Sequence, residues 1–374
     1  LMPEPLHHDG RLYPLSRWPQ RRGERLRAWD TADLYLLQTV APGPGQRVLV
    51  IEDGFGALTV PLAPAEPVVW SDSEISRRAL RRNLDGCGLD ADLATFVPAD
   101  TEPAGLFDLV LARFPKSLAY WEDTLLRLRR HVHQDTRIVA GGMIKHTPRR
   151  AFELMERLLG PTRTSRGWKK ARLAEARFEA DRTLPPGKPE AVVTLDDPPL
   201  TLHHRANVFA RDHLDAGTRM LLRHLPAGRG GRLADIGCGG GVLALALALR
   251  NPQAEVLGVD TSYQAVASAR DNAMAAGLCA PCVAFAVADG LADSPPAAFD
   301  LVVCNPPFHQ DRTVGDMLAW RMFTQAGRGL VAGGRLLVVG NRGLGHGQRL
   351  ARIFGDVEQL EAGERFEVLE AVRR

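Results

Sequence analysis

The sequence predicts an α/β protein with two tandem domains, each containing a doubly wound and mostly parallel sheet. Short apolar runs alternate with helical segments, which is typical of parallel sheets covered by helices. The same series of motifs occurs twice, with matching members 185 to 192 residues apart. The length of 374 residues suits two domains of about 180 residues better than one. We expect the domains to cover residues 1–190 and 191–374.

The composition is that of a globular protein without membrane or metal signals. Hydrophobic residues make up 45% of the chain and aromatic residues 6%, enough for two ordinary cores. The most apolar stretch, Val242–Leu249, ends at Arg250 and is far too short to span a bilayer. Cys279 and Cys282 have metal-ligand spacing, but no second pair accompanies them, so we expect no metal site. Five scattered cysteines favour a reducing cytoplasm.

In the second copy, a predicted strand over 233–236 enters a glycine loop, and a helix is predicted to follow as far as Arg250. Glycines at 237, 239, 240 and 241 let the backbone turn tightly and approach a ligand closely. Val242 stands where a dinucleotide-binding loop needs Gly or Ala, which argues against NAD. Asp235 instead places a carboxylate where a ligand ammonium could lie, and S-adenosylmethionine carries one.

The next two predicted strands both end in acids. Val256–Asp260 ends in an acid suited to two ribose hydroxyls, and Val283–Val287 is followed by Asp289, suited to an adenine amino group. Taken alone, an acid at either position would more often be a helix N-cap than a ligand contact. Because the carboxyl ends of parallel strands meet at one edge of a sheet, we expect the acids and the glycine loop to lie together.

The fourth strand, over 299–303, leads into Asn305-Pro306-Pro307-Phe308-His309. The Asn305 side-chain oxygen and the Pro306 carbonyl are acceptors that together can hold both hydrogens of one exocyclic NH2 group. The prolines fix φ and restrict the turn. Phe308 offers a face on which a nucleobase can stack. A rigid turn without any ligand is the alternative interpretation of this motif taken by itself.

The remaining elements complete a doubly wound sheet. Residues 333–339 predict a fifth strand, 349–354 a short helix, and 366–372 a terminal strand that runs in reverse.

The first copy has the same pattern of predicted strands but lacks the residues predicted to bind ligands in the second copy. Residues 48–58 match 233–243 and are expected to lead into a helix, 68–72 match 256–260, and 107–116 match 299–308. The first copy has Val50, Glu52, Phe55 and Arg113 where the second has Asp235, Gly237, Gly240 and Asn305. We therefore expect a degenerate, non-catalytic amino-terminal copy. Chance similarity between two α/β halves is the alternative.

The first copy also carries the excess positive charge. Residues 1–190 hold 29 basic and 25 acidic residues (+4), whereas residues 191–374 hold 18 and 19 (−1). Within Arg149–Lys188, eleven basic residues accompany five acids, and Trp168 stands beside Lys169 and Lys170, close to Arg172. This pattern favours RNA phosphate contact with base stacking, although a solvated face would give it too. We expect the join at 184–189 or 196–199, where prolines cluster.

These motifs resemble the RlmG/RsmC group of ribosomal RNA guanine-N2 methyltransferases, over essentially the whole chain. The resemblance is closer to the large-subunit branch, on residues 160–162, 168–172, 207–209, 214–217, 340–342 and 353–355. It implies two Rossmann-like S-adenosylmethionine methyltransferase domains, the first degenerate, and methylation of the exocyclic N2 of one guanosine in 23S rRNA.

The resemblance also implies a role for each site residue. The methionine end of the cofactor would lie on Asp235, Gly237, Cys238, Gly239 and Gly241, the ribose on Asp260, the adenine on Asp289, with Asn305 beside the cofactor. Asn305 and Pro306 would orient the guanine amine and Phe308 would stack on its ring. His309 would either take the released proton or pack behind the loop.

Three other functions remain open at the level of sequence. Asn-Pro-Pro with an aromatic also serves enzymes that methylate adenine N6 or protein glutamine, although these more often carry Tyr where Phe308 stands. The small-subunit branch performs the same chemistry on 16S rRNA. A catalytically dead RNA-binding module is the third possibility. We expect a cytoplasmic monomer with ribosomal RNA as its partner.

Overall fold

The structure is a computed structural model that describes residues 3–20, 23–187, 190–307 and 312–374. The chain forms two compact units, unit 1 over Leu1–Lys188 and unit 2 over Pro189–Arg374. Residues 196–199 form the turn of a hairpin inside unit 2. Among the described residues, no helix combines the length and the apolar character needed to cross a bilayer.

Unit 1 contains nine strands and four helices among its described residues. The strands are β1 (Leu6–His8), β2 (Arg11–Tyr13), β3 (Val48–Ile51), β4 (Val68–Ser71), β5 (Thr95–Pro98), β6 (Phe107–Arg113), β7 (Val132–Met143), β8 (Thr162–Thr164) and β9 (Ala171–Arg177). The helices are α1 (Thr31–Thr39), α2 (Glu74–Gly86), α3 (Leu118–Leu128) and α4 (Arg149–Leu158).

Unit 2 contains nine strands and five helices in the part of the chain that is described. The strands are β10 (Ala191–Asp196), β11 (Pro199–His204), β12 (Gly230–Ile236), β13 (Gln253–Asp260), β14 (Val283–Val287), β15 (Phe299–Cys304), β16 (Leu330–Asn341), β17 (Val357–Ala362) and β18 (Phe366–Val372). The helices are α5 (Ala216–Leu222), α6 (Val242–Arg250), α7 (Tyr263–Ala275), α8 (Arg312–Gly329) and α9 (His346–Phe354).

Each unit is built on a seven-stranded sheet with the same strand order. The orders are β5-β4-β3-β6-β7-β9-β8 and β14-β13-β12-β15-β16-β18-β17. The first five strands in each order run parallel, and the last two pair antiparallel. The predicted doubly wound fold and its reversed terminal strand are confirmed. Strand β17, which pairs antiparallel with β18, was not foreseen, because none of its residues is buried and its strand signal is therefore weak.

Buried apolar side chains cover both faces of each sheet. In unit 2, the α6 residues Leu243–Ala248 are at most 5% exposed, since this helix of small apolar residues lies between other elements of the core. The opposite face of the same sheet packs against α8 and α9. Burial on both faces explains why the central strands read as continuous apolar runs.

One predicted element of unit 1 is absent, so that expectation was wrong. The residues after β3 form turns and a short 3-10 helix, Ala63–Ala65, where unit 2 has α6. The Asp53 carboxylate accepts hydrogen bonds from the backbone N–H groups of Leu58 and Thr59. Prolines at 61 and 64 lack the N–H groups that a helix would need.

The strand registers also correct the sequence alignment by one residue. Val50 lies opposite Val69, and Asp235 lies opposite Gly258. Since Val50 and Asp235 occupy matching positions, Ser71 rather than Asp72 corresponds to Asp260. The acid at the end of this strand has therefore been lost from unit 1.

Candidate active site

A cavity of about 330 Å3 opens at the carboxyl ends of the parallel strands of unit 2. It brings together most of the residues predicted for the site. They are Gly237, Cys238, Gly239, Asp260, Asp289, Asn305 and Pro306. Asp235 and Gly241 lie behind its wall rather than on it. Phe308 and His309 lie outside the described residues, and their roles stay predictions.

The glycine loop has the backbone geometry that its sequence predicts. Gly237, Gly239 and Gly241 have φ of 78°, 52° and 93°, a region that side chains with a Cβ rarely adopt. The Gly237 and Cys238 N–H groups donate to the Val259 carbonyl at 2.8 and 3.0 Å. The loop therefore folds back over the end of β13 and exposes its backbone to the cavity.

One carboxylate oxygen of Asp235 accepts a backbone hydrogen bond, and the other has no partner among the described residues. Its Oδ2 accepts a hydrogen bond from the Ala244 N–H at 3.1 Å and so caps the first turn of α6. Its Oδ1 is buried and has no partner among the described residues. Burial and the nearby Asp260 carboxylate raise the pKa of Asp235 to about 7. Asp235 does not line the cavity, and its predicted contact with a ligand ammonium stays a prediction.

Asp260 lies on the cavity wall and joins two loops. Its Oδ2 accepts from the Gly239 N–H and its Oδ1 from the Ser262 N–H, both at 2.9 Å. Burial raises its pKa above the usual value for an aspartate. The carboxylate is thus held rigidly at the position predicted for ribose recognition.

Asp289 is paired with a residue that sequence reasoning missed. Its carboxylate forms an ion pair with Arg321 of α8, and its backbone carbonyl accepts from Gln325 Nε2 at 3.0 Å. Arg321 and Gln325 also line the cavity. An adenine amino group that approaches Asp289 would therefore meet a carboxylate already shared with a guanidinium.

Asn305 is held by the first turn of α5. Its Nδ2 donates to Asp215 Oδ2 at 3.2 Å and to Thr218 Oγ1 at 2.8 Å. Its Oδ1 is buried and has no hydrogen-bond partner within the described ranges. An Asp carboxylate accepts hydrogen bonds and cannot donate one when ionised. The amide oxygen consequently remains available as an acceptor at the cavity.

His204, at the end of β11, is a second cavity residue that sequence reasoning did not find. Its Nδ1 lies 3.0 Å from the Arg211 carbonyl, so Nδ1 carries the proton and Nε2 is the acceptor of a neutral ring. Burial lowers the pKa of His204, which favours that neutral form. Nothing in the sequence distinguishes this His from a core histidine.

In unit 1 the residues predicted to contact RNA lie at a hairpin turn before β9. Lys169 and Lys170 have positive φ of 45° and 68°, and backbone hydrogen bonds join Trp168 and Ala171 across them. Both lysines and Arg172 are exposed. Trp168 is half-buried: its ring lies 5.4 Å from that of Tyr35, and Lys169 Nζ lies 5.0 Å from its centroid. The ring is thus less accessible than the sequence suggested.

The matching cavity of unit 1 is lined by different groups. Glu52 has φ of 59° and so keeps the loop shape of Gly237, but its Oε1 accepts from the Asp72 N–H and the Tyr120 hydroxyl, both at 2.8 Å. Arg113 forms ion pairs with Asp30 and Asp33. A cavity of about 380 Å3 remains beside these groups, without a contribution from the end of β4.

Comparison with known proteins identifies the family. The RLMG N-terminal domain family matches residues 3–180, and the methyltransferase small domain family matches residues 199–370. The ribosomal RNA large subunit methyltransferase G of Pseudomonas putida (strain GB-1) is 49% identical over 362 residues, 96% of either chain. The chain belongs to the ribosomal RNA large subunit methyltransferase G family. The family member from Pseudomonas aeruginosa (strain UCBPP-PA14) is also 49% identical with the same coverage.

A solved structure from a related family has the same two-unit architecture. It is the T. Thermophilus 16S rRNA N2 G1207 methyltransferase (RsmC) in complex with AdoMet and guanosine. The TM-score is 0.78 at 27% identity, with 99% of this chain and 97% of that chain covered. The predicted family, its large-subunit branch and the tandem methyltransferase fold are therefore confirmed.

The residues of unit 2 fit S-adenosylmethionine, the cofactor expected for this family. The cavity is lined by the glycine loop, the Asp260 carboxylate and Asn305, whose Oδ1 has no hydrogen-bond partner among the described residues. A nucleoside joined to an amino acid carries hydroxyl and ammonium donors, which match carboxylate and amide acceptors. Within the described residues, no group of three or more His, Cys, Asp or Glu is placed to hold a metal ion.

Proposed function

We propose that the chain methylates the exocyclic N2 of a guanosine in 23S rRNA, with S-adenosylmethionine as methyl donor. The observation that carries this proposal is Asn305 Oδ1, a buried acceptor without a hydrogen-bond partner among the described residues; Asn305 lines the cavity, and the bonds of its Nδ2 fix the amide. The 49% identity with large subunit methyltransferase G relatives supports the 23S target. The 16S enzyme is more distant, at 27% identity.

The residues of the chain act by orientation. Asn305 Oδ1 and the Pro306 carbonyl accept the two hydrogens of the guanine amine, which turns the nitrogen lone pair away from the ring system. When bound, the cofactor supplies an electrophilic methyl group. Holding the amine in line with that group can contribute roughly 7 to 11 kcal/mol to lowering the barrier. The chain then needs no strong base, because the proton can leave after transfer.

Guanine must be unpaired to reach this cavity. Base pairing occupies the N2 group, so the target nucleotide has to be single-stranded or rotated out of its helix at a cost of a few kcal/mol. We propose that RNA contacts of unit 1 at Trp168, Lys169, Lys170 and Arg172 offset part of that cost. Their exposed charges at a hairpin turn support phosphate contact.

Unit 1 is proposed to lack catalysis. Arg113 presents only donors where Asn305 presents an acceptor, and Glu52 fills the loop position of Gly237. The carboxylate that corresponds to Asp260 is replaced by Ser71. We also infer that the protein is a cytoplasmic monomer, as expected where ribosomal RNA is modified; light scattering of the purified chain tests the monomer.

The test is a methyl-transfer assay followed by mapping. Purified chain and labelled S-adenosylmethionine are incubated with 23S rRNA, 16S rRNA or a release factor, and the modified nucleoside is identified by mass spectrometry. We expect label in N2-methylguanosine of 23S rRNA alone, and only a small residual rate of labelling with Asn305→Ala, which keeps cofactor binding. Label in N6-methyladenosine, in glutamine or in 16S rRNA would show that the chain methylates that substrate and not a 23S rRNA guanosine. Failure to bind the cofactor at millimolar concentration would favour an RNA-binding module.

A further inference from the structure

The amide of Asn305 receives its orientation from two residues of another element. We infer that Asp215 and Thr218, on the first turn of α5, are positioning residues that keep the Asn305 oxygen directed at the substrate amine. This inference rests on the proposed function for the identity of the amine. The contacts themselves are independent of it: Asn305 Nδ2 lies 3.2 Å from Asp215 Oδ2 and 2.8 Å from Thr218 Oγ1.

The orientation matters because the two ends of an amide have opposite hydrogen-bonding character. The oxygen accepts from an amine, whereas the NH2 end would point donor against donor. Rotation of the amide by 180° exchanges these ends without a change of shape. The Asp215 carboxylate determines which orientation the Asn305 amide takes, because a carboxylate beside the amide attracts the NH2 end and leaves the oxygen on the other side.

Asp215 is itself held in place. As the N-cap of α5, it accepts from the Thr218 N–H at 2.9 Å, and the Thr218 hydroxyl lies 3.4 Å from the same oxygen. Helix α5 packs against β16, and a Cβ at residue 217 would lie 3.1 Å from Asp215 Oδ2, tighter than ordinary contact. The two acceptors for Asn305, Asp215 Oδ2 and Thr218 Oγ1, are therefore held by a helix that packs on the sheet and not by a loop.

Unit 1 provides an independent comparison. Asp30 is the N-cap of α1, three residues before Asp33, as Asp215 precedes Thr218. Both acids of unit 1 form ion pairs with Arg113, which occupies the position of Asn305. The first turn of this helix thus supplies two acceptors to the same strand end in both units. In unit 1 the two carboxylates accept from the charged Arg113. In unit 2 one carboxylate and one hydroxyl accept from the neutral Asn305.

The activity test compares Thr218→Val with Thr218→Ser. The valine variant keeps the shape and loses the hydroxyl acceptor, so kcat should fall about tenfold, with little change in KM for RNA or in cofactor affinity. The serine variant should retain most of the activity. Asp215→Ser keeps a helix cap and is too short to reach Asn305, so it should also lower kcat. Ser117→Ala, which removes the cap of α3 in unit 1, controls for cap loss and should leave kcat unchanged.

A double-mutant cycle distinguishes positioning from a structural role. If Thr218 acts through Asn305, then Thr218→Val should add less than about twofold to the loss in an Asn305→Ala background. A further tenfold loss there, or an unchanged kcat in Thr218→Val alone, would overturn the inference.

A second measurement needs neither cofactor nor RNA. In protein labelled with 15N-asparagine, the Asn305 side-chain NH2 signal is identified by its loss in Asn305→Ala. Slow exchange of these protons with water is expected in the wild type, and fast exchange in Thr218→Val and Asp215→Ser. Equal exchange rates would contradict the inference even if the RNA substrate had been assigned correctly. An inactive wild type with slow exchange would instead contradict the proposed function alone.

Discussion

Gly240 faces the imidazole of His204 so closely that a Cβ at residue 240 would lie 2.3 Å from His204 Nε2. No Cβ contact of this length is tolerated, and a buried ring held through Nδ1 cannot rotate away freely. The absence of a side chain at Gly240 is therefore a packing requirement. In unit 1, which has no helix after the corresponding loop, Phe55 occupies this position.

The first prediction concerns Gly240→Ala. The added methyl group must displace His204 or the glycine loop, so cofactor affinity should fall by at least about tenfold. Gly239→Ala is the matched change, because a Cβ there has open space and meets only an unfavourable φ. Calorimetry with sinefungin gives both affinities. Combining Gly240→Ala with His204→Ala should restore part of the loss, and failure to do so would exclude the ring as the obstacle.

The second prediction concerns pH and Asp235. Its pKa is raised to about 7, chiefly by burial, so the folded state keeps its proton between about pH 4 and 7 while the unfolded chain loses it. This effect lowers stability as pH rises through that window. Asp235→Asn can still cap α6 and should stabilise the cofactor-free protein at pH 8 by roughly 2 to 4 kcal/mol. At pH 4 the two proteins should be nearly equal in urea unfolding; an equal gain at both pH values would contradict this assignment.

The third prediction exchanges the unit 1 network for that of unit 2. Arg113→Asn leaves the buried Asp33 without its cation, and burial already raises the pKa of Asp33 to about 6. The free energy of unfolding should fall by about 3 kcal/mol at pH 8. The loss should be smaller at pH 5, where Asp33 is protonated. Adding Asp33→Thr recreates the trio of Asn305, Asp215 and Thr218 and should recover most of the stability. No recovery would mean that the two networks are not interchangeable.

Much of the fold could be predicted because its signals are local. The strand ends at Asp260, Asp289 and Asn305 each follow an apolar run, and the sheet brings them to one cavity. The contact of Asp215 with Asn305 spans 90 residues, and an Asp before a helix indicates a cap without indicating what else it binds. The ion pair of Arg321 with Asp289 was missed for the same reason.

Differences between the units were harder to predict than their similarity. The missing helix of unit 1 follows from two prolines and from the hydrogen bonds of Asp53, an effect that overrides the apolar pattern around Leu58. The one-residue shift that makes Ser71 the counterpart of Asp260 depends on strand register. Register is set by the pairing of strands and not by the sequence of a single strand.

The last prediction concerns the turn at Lys169 and Lys170. Both residues adopt positive φ, which suits Asn and Gly and costs a lysine of order 1 kcal/mol. Changing Lys169→Asn together with Lys170→Gly should therefore stabilise unit 1 while removing two charges. If these charges contact phosphates, RNA affinity should fall and the slope of log K against log salt should decrease by about 1.5 to 2. Filter binding at several salt concentrations measures the slope, and thermal unfolding measures the stability. Exposed Lys116→Gln, which removes a charge at another site of unit 1, is the control. A raised melting temperature with an unchanged salt slope would show that the turn is strained for a reason other than RNA binding.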